Sequence, residues 1–412
     1  MSGELYDYLV IGGGLTGAHA VSSLRKVDPG SKIGLIAEEE FLPYNRPPLS
    51  KGFLQGTVDR DSLTVFNEDY YRNNNISLFL GMRATGVNTR EHTVAAGGSV
   101  ELGYKKLLIA SGCKLRRLSI PGAELPGLLY LRTLPEAEAI RAAAKKSSYA
   151  AVIGGGFIGL EVASVLAAMG INTTIIHRRD HLMEKFDHPD ISSYFERYFA
   201  GRGINVIYED EVSEIKGKEW VEGVATKSGR SLSCDMVLAG IGVVPDTDYL
   251  KDSGIELENG VVTDEFLMTS DPDVFAAGDI ANYHDPVYGR QRRTEHWDNA
   301  IRQGEAVARN MVGGREPYVR TSFFYSTVFN ITYECYGDMR EYEKKVVRGS
   351  FDENSCTVFY LKDDTVQGAF IFNRPASERR LISDLIAEQR LLSLEVQSLE
   401  DERIPLEVVL AH

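Results

Sequence analysis

Two glycine-rich segments, Gly12-Gly13-Gly14-Leu15-Thr16-Gly17 and Gly154-Gly155-Gly156-Phe157-Ile158-Gly159, constrain this chain more than anything else in it. Each follows an apolar, strand-like run (Tyr8-Leu9-Val10-Ile11; Ala151-Val152-Ile153) and opens a stretch of helical periodicity. At a strand-to-helix turn the first glycine permits a tight bend and the second lets backbone approach a pyrophosphate. The third lets helix and strand pack closely. The phosphates then meet the positive end of the helix. Each segment reads as a dinucleotide cradle, and two such cradles suggest a flavoprotein that takes hydride from a nicotinamide.

At 412 residues the chain has room for two to four domains. No run of eighteen apolar residues appears; the most apolar stretch, Val237 to Val244, is strand-sized, so no membrane-spanning helix is expected. The N-terminus enters a strand almost at once, which leaves no room for a signal peptide and makes a cytoplasmic location the expectation. Net charge is −14, which disfavours nucleic acid and anionic membranes as partners. Cys113, Cys234, Cys335 and Cys356 lack close spacing, so neither a metal site nor an internal dithiol relay is expected.

The first unit reads strand (Tyr6–Ile11), helix (Leu15–Val27) and strand (Lys32–Ala37), then a proline-rich loop from Leu42 to Lys51 of the kind that is usually functional. Lys106–Ser111 reads as a buried strand, and the second unit opens at Tyr149 with its next strand at Asn172–His177. The strand Asp235–Gly242 and the segment Val274–Ala277 with Gly278-Asp279 are expected to complete the first unit's sheet. After Pro317, short β-type runs (Phe323–Glu334, Lys344–Phe351, Cys356–Leu361, Val366–Phe372) succeed one another, which implies an antiparallel sheet. A helix follows from Pro375 to about Leu392, and the last residues, from Glu395, are amphipathic and unplaced. The fold class is α/β, with two Rossmann-like dinucleotide-binding domains and a C-terminal α+β domain.

Glu38 stands 21 residues after Gly17, at a strand end where a carboxylate can accept both ribose hydroxyls of an adenine nucleotide; Glu39 and Glu40 beside it leave the register open. The corresponding place in the second unit is read as His177, followed by Arg178 and Arg179. No carboxylate is available there for a free 2′-hydroxyl, while two guanidiniums can fork onto a 2′-phosphate, so NADPH is preferred over NADH. His177 is placed to stack or bond near adenine, or to cap the strand. Asp279 lies at a strand's carboxyl end, where it can accept bonds from the sugar-alcohol chain of a flavin or cap a helix.

Pro47-Pro48-Leu49-Ser50-Lys51, Gly154 to Glu161, Ala239-Gly240-Ile241-Gly242 with Pro245, and Thr269-Ser270-Asp271-Pro272 running to Gly278-Asp279 resemble the oxygenase-coupled ferredoxin reductases. Apoptosis-inducing factor, rubredoxin reductases and monodehydroascorbate reductases are relatives of that group. The resemblance implies an FAD domain (1–114 and 246–319), an inserted nicotinamide domain (115–245) and a C-terminal domain (320–412) covering the flavin. It implies that Lys51 lies against the isoalloxazine and pairs with Glu161, stabilising negative charge on reduced flavin. Arg46, Ala84, Arg132 and Trp297 fall at FAD-contacting positions of the family, and Tyr325 falls where relatives carry a tryptophan. The turn Ala110-Ser111-Gly112 departs from the usual Ala-Thr-Gly only by a methyl group. The run His177-Arg178-Arg179-Asp180 is similar instead to the NADPH-binding segment of thioredoxin reductases, without their redox cysteine pair.

The expected function is an FAD-dependent reductase, monomeric or homodimeric, that passes electrons from NAD(P)H to a small iron–sulfur carrier, a ferredoxin or rubredoxin. Arg290, Arg292 and Arg293 are read as a docking patch for an acidic carrier. The alternatives are a diffusible acceptor (oxygen, a quinone or an ascorbate-type radical) and a redox-dependent binding protein similar to apoptosis-inducing factor.

Overall fold

The computed structural model describes residues 4–389 and 396–410. These gather into two compact units. One comprises residues up to Asn45, Asp61–Lys114 and Val244–Phe323; the other comprises Arg46–Arg60, Leu115–Val243 and the chain from Phe324 onward.

The first unit is built on a parallel sheet in the order Ile76–Phe79, Ile33–Ile36, Leu5–Ile11, Val100–Ile109, Val274–Ala276. An antiparallel ribbon, Ala84–Asn88 and Thr93–Ala96, extends it from the start of the Val100–Ile109 strand. The first strand is apolar on both faces because both faces are covered. Tyr8 and Val10 join a core with Leu24 of the helix Leu15–Val27 and Val307 of the helix Trp297–Met311. Leu9 and Ile11 join a second core with Val94, Leu107 and Ile280. The two helices approach closely because Gly304 has no side chain: a Cβ there would meet the Thr16 carbonyl at 2.5 Å.

The second unit carries a parallel sheet in the order Asn205–Ile207, Asn172–Ile176, Tyr149–Ile153, Met236–Ala239, Leu128–Leu129. The strand read from Asp235 therefore belongs to this sheet, and only Val274–Ala276 joins the first, which corrects the expectation from sequence. An all-apolar run shows that a strand is covered on both faces but not which neighbour it pairs with. The partner is fixed locally by glycines: the Gly240 N–H donates to the Ile153 carbonyl at 2.8 Å, and a Cβ on Gly154 would meet the Gly240 carbonyl at 2.5 Å.

The C-terminal part of this unit is an antiparallel sheet in the order Phe323–Val328, Ile331–Gly337, Thr365–Phe372, Ser355–Lys362, Lys344–Ser350. The run read as one strand from Phe323 to Glu334 breaks at Phe329, whose φ of 51° makes the turn. Asp363 and Asp364, both at positive φ, close the hairpin expected at Lys362-Asp363-Asp364. Phe186, Phe195, Tyr333 and Phe370 form one aromatic cluster with ring centroids 4.9–6.0 Å apart, which joins this sheet to the helix Pro189–Ala200 and the turn before it. Tyr360 donates to the Phe186 carbonyl, and Lys345 and Tyr342 hold Asp187. The helix from Pro375 runs from Ala376 to Glu388, and Arg390 to Leu392 lie outside the described residues. Beyond them, the buried Arg348 guanidinium donates to the carbonyls of Leu399, Asp401 and Ile404 and pins the terminal segment.

Candidate functional site

Both cradles have the same local geometry. Gly12 and Gly154 sit at φ 125° and 102°, where only glycine is unstrained. A Cβ on Gly17 would lie 2.0 Å from the Gly12 carbonyl, and one on Gly159 would lie 2.1 Å from that of Gly154. The first and third glycines are thus demanded by the fold itself. The second is different. Gly14 and Gly156 are extended (φ −86° and −77°), and a Cβ on either would meet no described atom within 4 Å. Nothing internal requires glycine there, and the space beside each is open to a ligand. Each of these residues is the N-cap of the helix that follows, Leu15–Val27 or Phe157–Ala168. Neither helix has an acidic residue in its first turn, and neither N-cap supplies a side-chain bond. Free N–H groups, a positive helix end and an open approach suit an anionic pyrophosphate, so both cradles fit a dinucleotide.

Residues expected around the first cradle gather in the first unit. The Ala110 N–H donates to the Ile11 carbonyl at 2.7 Å, and its own carbonyl lies against Gly12. The Ser111 hydroxyl donates to the Asp246 carbonyl and accepts from Tyr249, so the serine keeps a bonded hydroxyl at the turn before Gly112. Thr16 packs on Gly278, which sets the turn carrying Asp279 beside the cradle. Asp279 is half-buried inside that short turn, and the cap position belongs to Ala277. Glu38 is exposed and paired with Arg83 at 2.6 Å; Arg83 also bonds Asp246. Ala84 opens the neighbouring ribbon, and Trp297 donates from its indole to Asn45 at 3.1 Å.

Hydrogen bonds to the strands Ile76–Phe79 and Asn205–Ile207 show which residues of the two cradles correspond. The Ala37 N–H donates to the Phe79 carbonyl, and the His177 N–H donates to the Ile207 carbonyl. A Cβ on Gly13 would meet Ala37, and one on Gly155 would meet His177. His177 is therefore the counterpart of Ala37, and Arg178 that of Glu38, a shift of one residue from the reading by spacing. The His177 ring is buried at 4% exposure. Its Nδ1 accepts from the Gly155 N–H at 3.1 Å, which leaves Nε2 to face Glu184 at 3.4 Å. Burial alone would raise the Glu184 carboxyl, but the His177 imidazole beside it holds it below its ordinary value. Sequence reading missed this carboxylate because it lies eight positions beyond the strand end at Ile176. Arg178 and Arg179 are exposed. Gly240 closes the turn opposite, and Phe157 packs on Phe324 at 5.0 Å while Ile158 stays exposed.

Lys51 and Glu161, unremarkable as isolated charges, come together in the second unit. The Lys51 Nζ is 2.7 Å from Glu161 Oε2, with Glu161 almost fully buried and Lys51 partly open. The Ser50 hydroxyl donates to the same oxygen at 2.5 Å and the Ser326 hydroxyl to Oε1 at 2.7 Å. Neither serine carried a signal in the sequence. The Tyr325 ring, 40% exposed, lies 6.0 Å from Lys51 Nζ; burial, with Glu161 adding, pushes its hydroxyl above the ordinary value. Arg46 caps the short turn Pro47–Ser50 that delivers Lys51. The Arg132 N–H donates to Glu136 at the head of the helix Leu134–Ala144.

Two of the three arginines read as a docking patch are engaged inside the fold. Arg292 is buried, bonded to Asp285 at 3.0 Å and to Ser322 at 3.3 Å. Arg293 spends its guanidinium on the Asp279 carbonyl, Cys113 and Glu295. Arg293 braces the turn around Asp279, and Arg292 is held inside the fold, so neither presents a free guanidinium to a partner. The four cysteines are buried thiols, and burial pushes Cys234 up to about 12.

Residues 6–304 match the family described as pyridine nucleotide-disulphide oxidoreductase, and residues 323–410 match a reductase C-terminal domain. The chain belongs to that family. It is 34% identical over 372 residues to the ferredoxin reductase subunit of a 5,5'-dehydrodivanillate O-demethylase from a Sphingobium species, covering 90% of each chain. It is 30% identical to a rubredoxin–NAD(+) reductase of Pseudomonas putida, covering 90% of this chain and 97% of the relative. The crystal structure of a covalent putidaredoxin reductase–putidaredoxin complex matches with a TM-score of 0.94 at 29% identity, covering 100% of this chain and 99% of that one. The chain is accordingly an oxidoreductase of the ferredoxin reductase class, with FAD and a nicotinamide as its cofactors. Among the described residues no helix is long and apolar enough to cross a membrane.

Proposed function

We propose that this chain takes hydride from NADPH in preference to NADH and passes electrons singly to a small iron–sulfur protein of the ferredoxin or rubredoxin type. The observation that carries the nucleotide preference is the charge reversal at one register position: Glu38 in the first unit, Arg178 in the second. A carboxylate suits the two hydroxyls of the FAD ribose, and a guanidinium suits a 2′-phosphate. The names of three relatives carry NAD(+), so the choice rests on this chain's own side chains. The carrier is supported by relatives named as ferredoxin and rubredoxin reductases and by the putidaredoxin complex.

In this reading residues 1–114 and 246–319 form the FAD domain, 115–245 the nicotinamide domain and 320–412 the C-terminal domain. Gly12, Gly14, Leu15, Thr16 and Gly17 hold the FAD pyrophosphate and Glu38 its ribose. Ala84, Ala110, Ser111, Gly112, Asp279, Trp297, Arg46 and Arg132 are the further residues assigned to FAD in this reading. Gly154, Gly156, Phe157, Ile158, Gly159 and Gly240 hold the nicotinamide nucleotide, with Arg178 and Arg179 on its phosphate and His177 supporting the cradle from beneath. Bound FAD supplies the conversion of a two-electron donor into one-electron steps. Lys51 places a positive charge against negative charge on the ring system, Glu161 keeps that ammonium in place, and Tyr325 shields it from water.

Anaerobic rapid mixing tests the proposal. NADPH is expected to reduce the bound flavin faster than NADH, and ferredoxin or rubredoxin to reoxidise it faster than quinone or oxygen. Faster reduction by NADH overturns the nucleotide assignment; faster reoxidation by a small molecule overturns the carrier.

A further inference from the structure

Glu161 has more donors than an ion pair requires. Oε2 takes both Lys51 and the Ser50 hydroxyl, while Oε1 is filled by Ser326 alone among the bonds described above. Ser326 is 1% exposed and comes from the strand Phe323–Val328 of the C-terminal sheet, 165 residues beyond Glu161. Its neighbour Tyr325 faces Lys51. Consecutive residues of one strand thus address both members of the pair. A serine so deeply buried must bond something, and here its bond fixes the rotation of the carboxylate. With Oε1 open, the carboxylate could turn and draw the ammonium across both oxygens, and it would lose a dipole that offsets its negative charge.

We propose that Ser326 is a positioning residue for the redox centre: by holding Glu161 it sets how much of the Lys51 charge reaches the flavin, and so makes the C-terminal sheet a determinant of the flavin's reduction potential. This rests on the reading of Lys51 given above.

The test is the midpoint potential of the bound flavin, measured by anaerobic spectroelectrochemistry on the full-length, FAD-loaded chain. Ser326→Ala is expected to disfavour the reduced form about tenfold, a fall of about 30 mV for a two-electron couple. Ser326→Thr, which keeps the hydroxyl, is expected to stay within about twofold of the parent. Ser326→Cys, nearly isosteric with a weak donor, should fall between and serves if the alanine variant folds poorly. Thr327→Ala, which removes only a surface bond to Thr332 on the next strand, should leave the potential unchanged. Lys51→Met is expected to lower the potential further than any of these. If Lys51→Met leaves it unchanged, the reading of Lys51 falls and this inference with it. If Lys51→Met lowers it but Ser326→Ala and Ser326→Cys match the parent, the role of Ser326 alone is overturned.

Discussion

The two nucleotide cradles differ less in their glycines than in what stands two residues past the second strand. In the first unit Ala37 packs on the cradle and Glu38 projects beside Arg83; in the second His177 packs and Arg178 projects. The same backbone geometry suits a diphosphate in both places, and under the proposed function the exposed side chain beside it, Glu38 or Arg178, selects what lies on the adjoining ribose.

The largest expected effects test the shared half of this comparison. Gly12→Ala and Gly154→Ala each place a Cβ against a carbonyl, at 2.2 and 2.5 Å, on a residue at positive φ. Each should cost more than about 3 kcal/mol in denaturant unfolding. Gly12→Ala should yield protein without flavin, whereas Gly154→Ala should keep its yellow colour and lose reduction by either nicotinamide. If both variants lose FAD alike, the two cradles do not have separate occupants. Arg178→Glu tests the differing half. It should lower kcat/KM for NADPH about 100-fold while leaving that for NADH within about threefold, the loss of one charge-assisted contact of about 2–3 kcal/mol. Glu38→Gln should weaken FAD binding about tenfold in flavin-release titrations, without touching the ratio of NADPH to NADH rates.

Smaller effects sharpen the register. His177→Ala removes a buried ring and the acceptor of the Gly155 N–H, so stability should fall by about 1–3 kcal/mol. The NADPH-to-NADH ratio should stay within about threefold; a collapse of that ratio would make His177, and not Arg178, the discriminating residue. Smallest is salt. Because Arg178 and Arg179 are exposed, raising ionic strength should increase KM for NADPH several-fold and leave KM for NADH nearly constant.

Much of this was legible from local pattern. Glycine spacing, apolar strands and helix periodicity are enforced within a few residues, so the cradles, the Gly278-Asp279 turn and the C-terminal antiparallel sheet could be read directly. What could not be read depends on contacts between distant segments. The strand at Met236–Ala239 carried no mark of which sheet it joins. Arg292 and Arg293 looked like surface charge because the carboxylates and carbonyls that absorb them are set by folding. Counting residues after Gly159 made His177 the counterpart of Glu38, whereas the bonds of Ala37 to Phe79 and of His177 to Ile207 make Arg178 that counterpart. The serines on Glu161 come from 111 and 165 residues away, and no motif announces such a pair.

The aromatic cluster of Phe186, Phe195, Tyr333 and Phe370 has a consequence for how such proteins can be recombined. The C-terminal sheet is not an independent cassette. Its inner face is half of a core whose other half belongs to residues 183–200, so a sheet grafted from another reductase would have to bring matching rings for Phe186 and Phe195. A splice after Met311 that ignores this would strand several large apolar side chains in water. Crossovers that carry residues 183–200 together with the sheet should yield soluble chimaeras, while those that cut between them should aggregate.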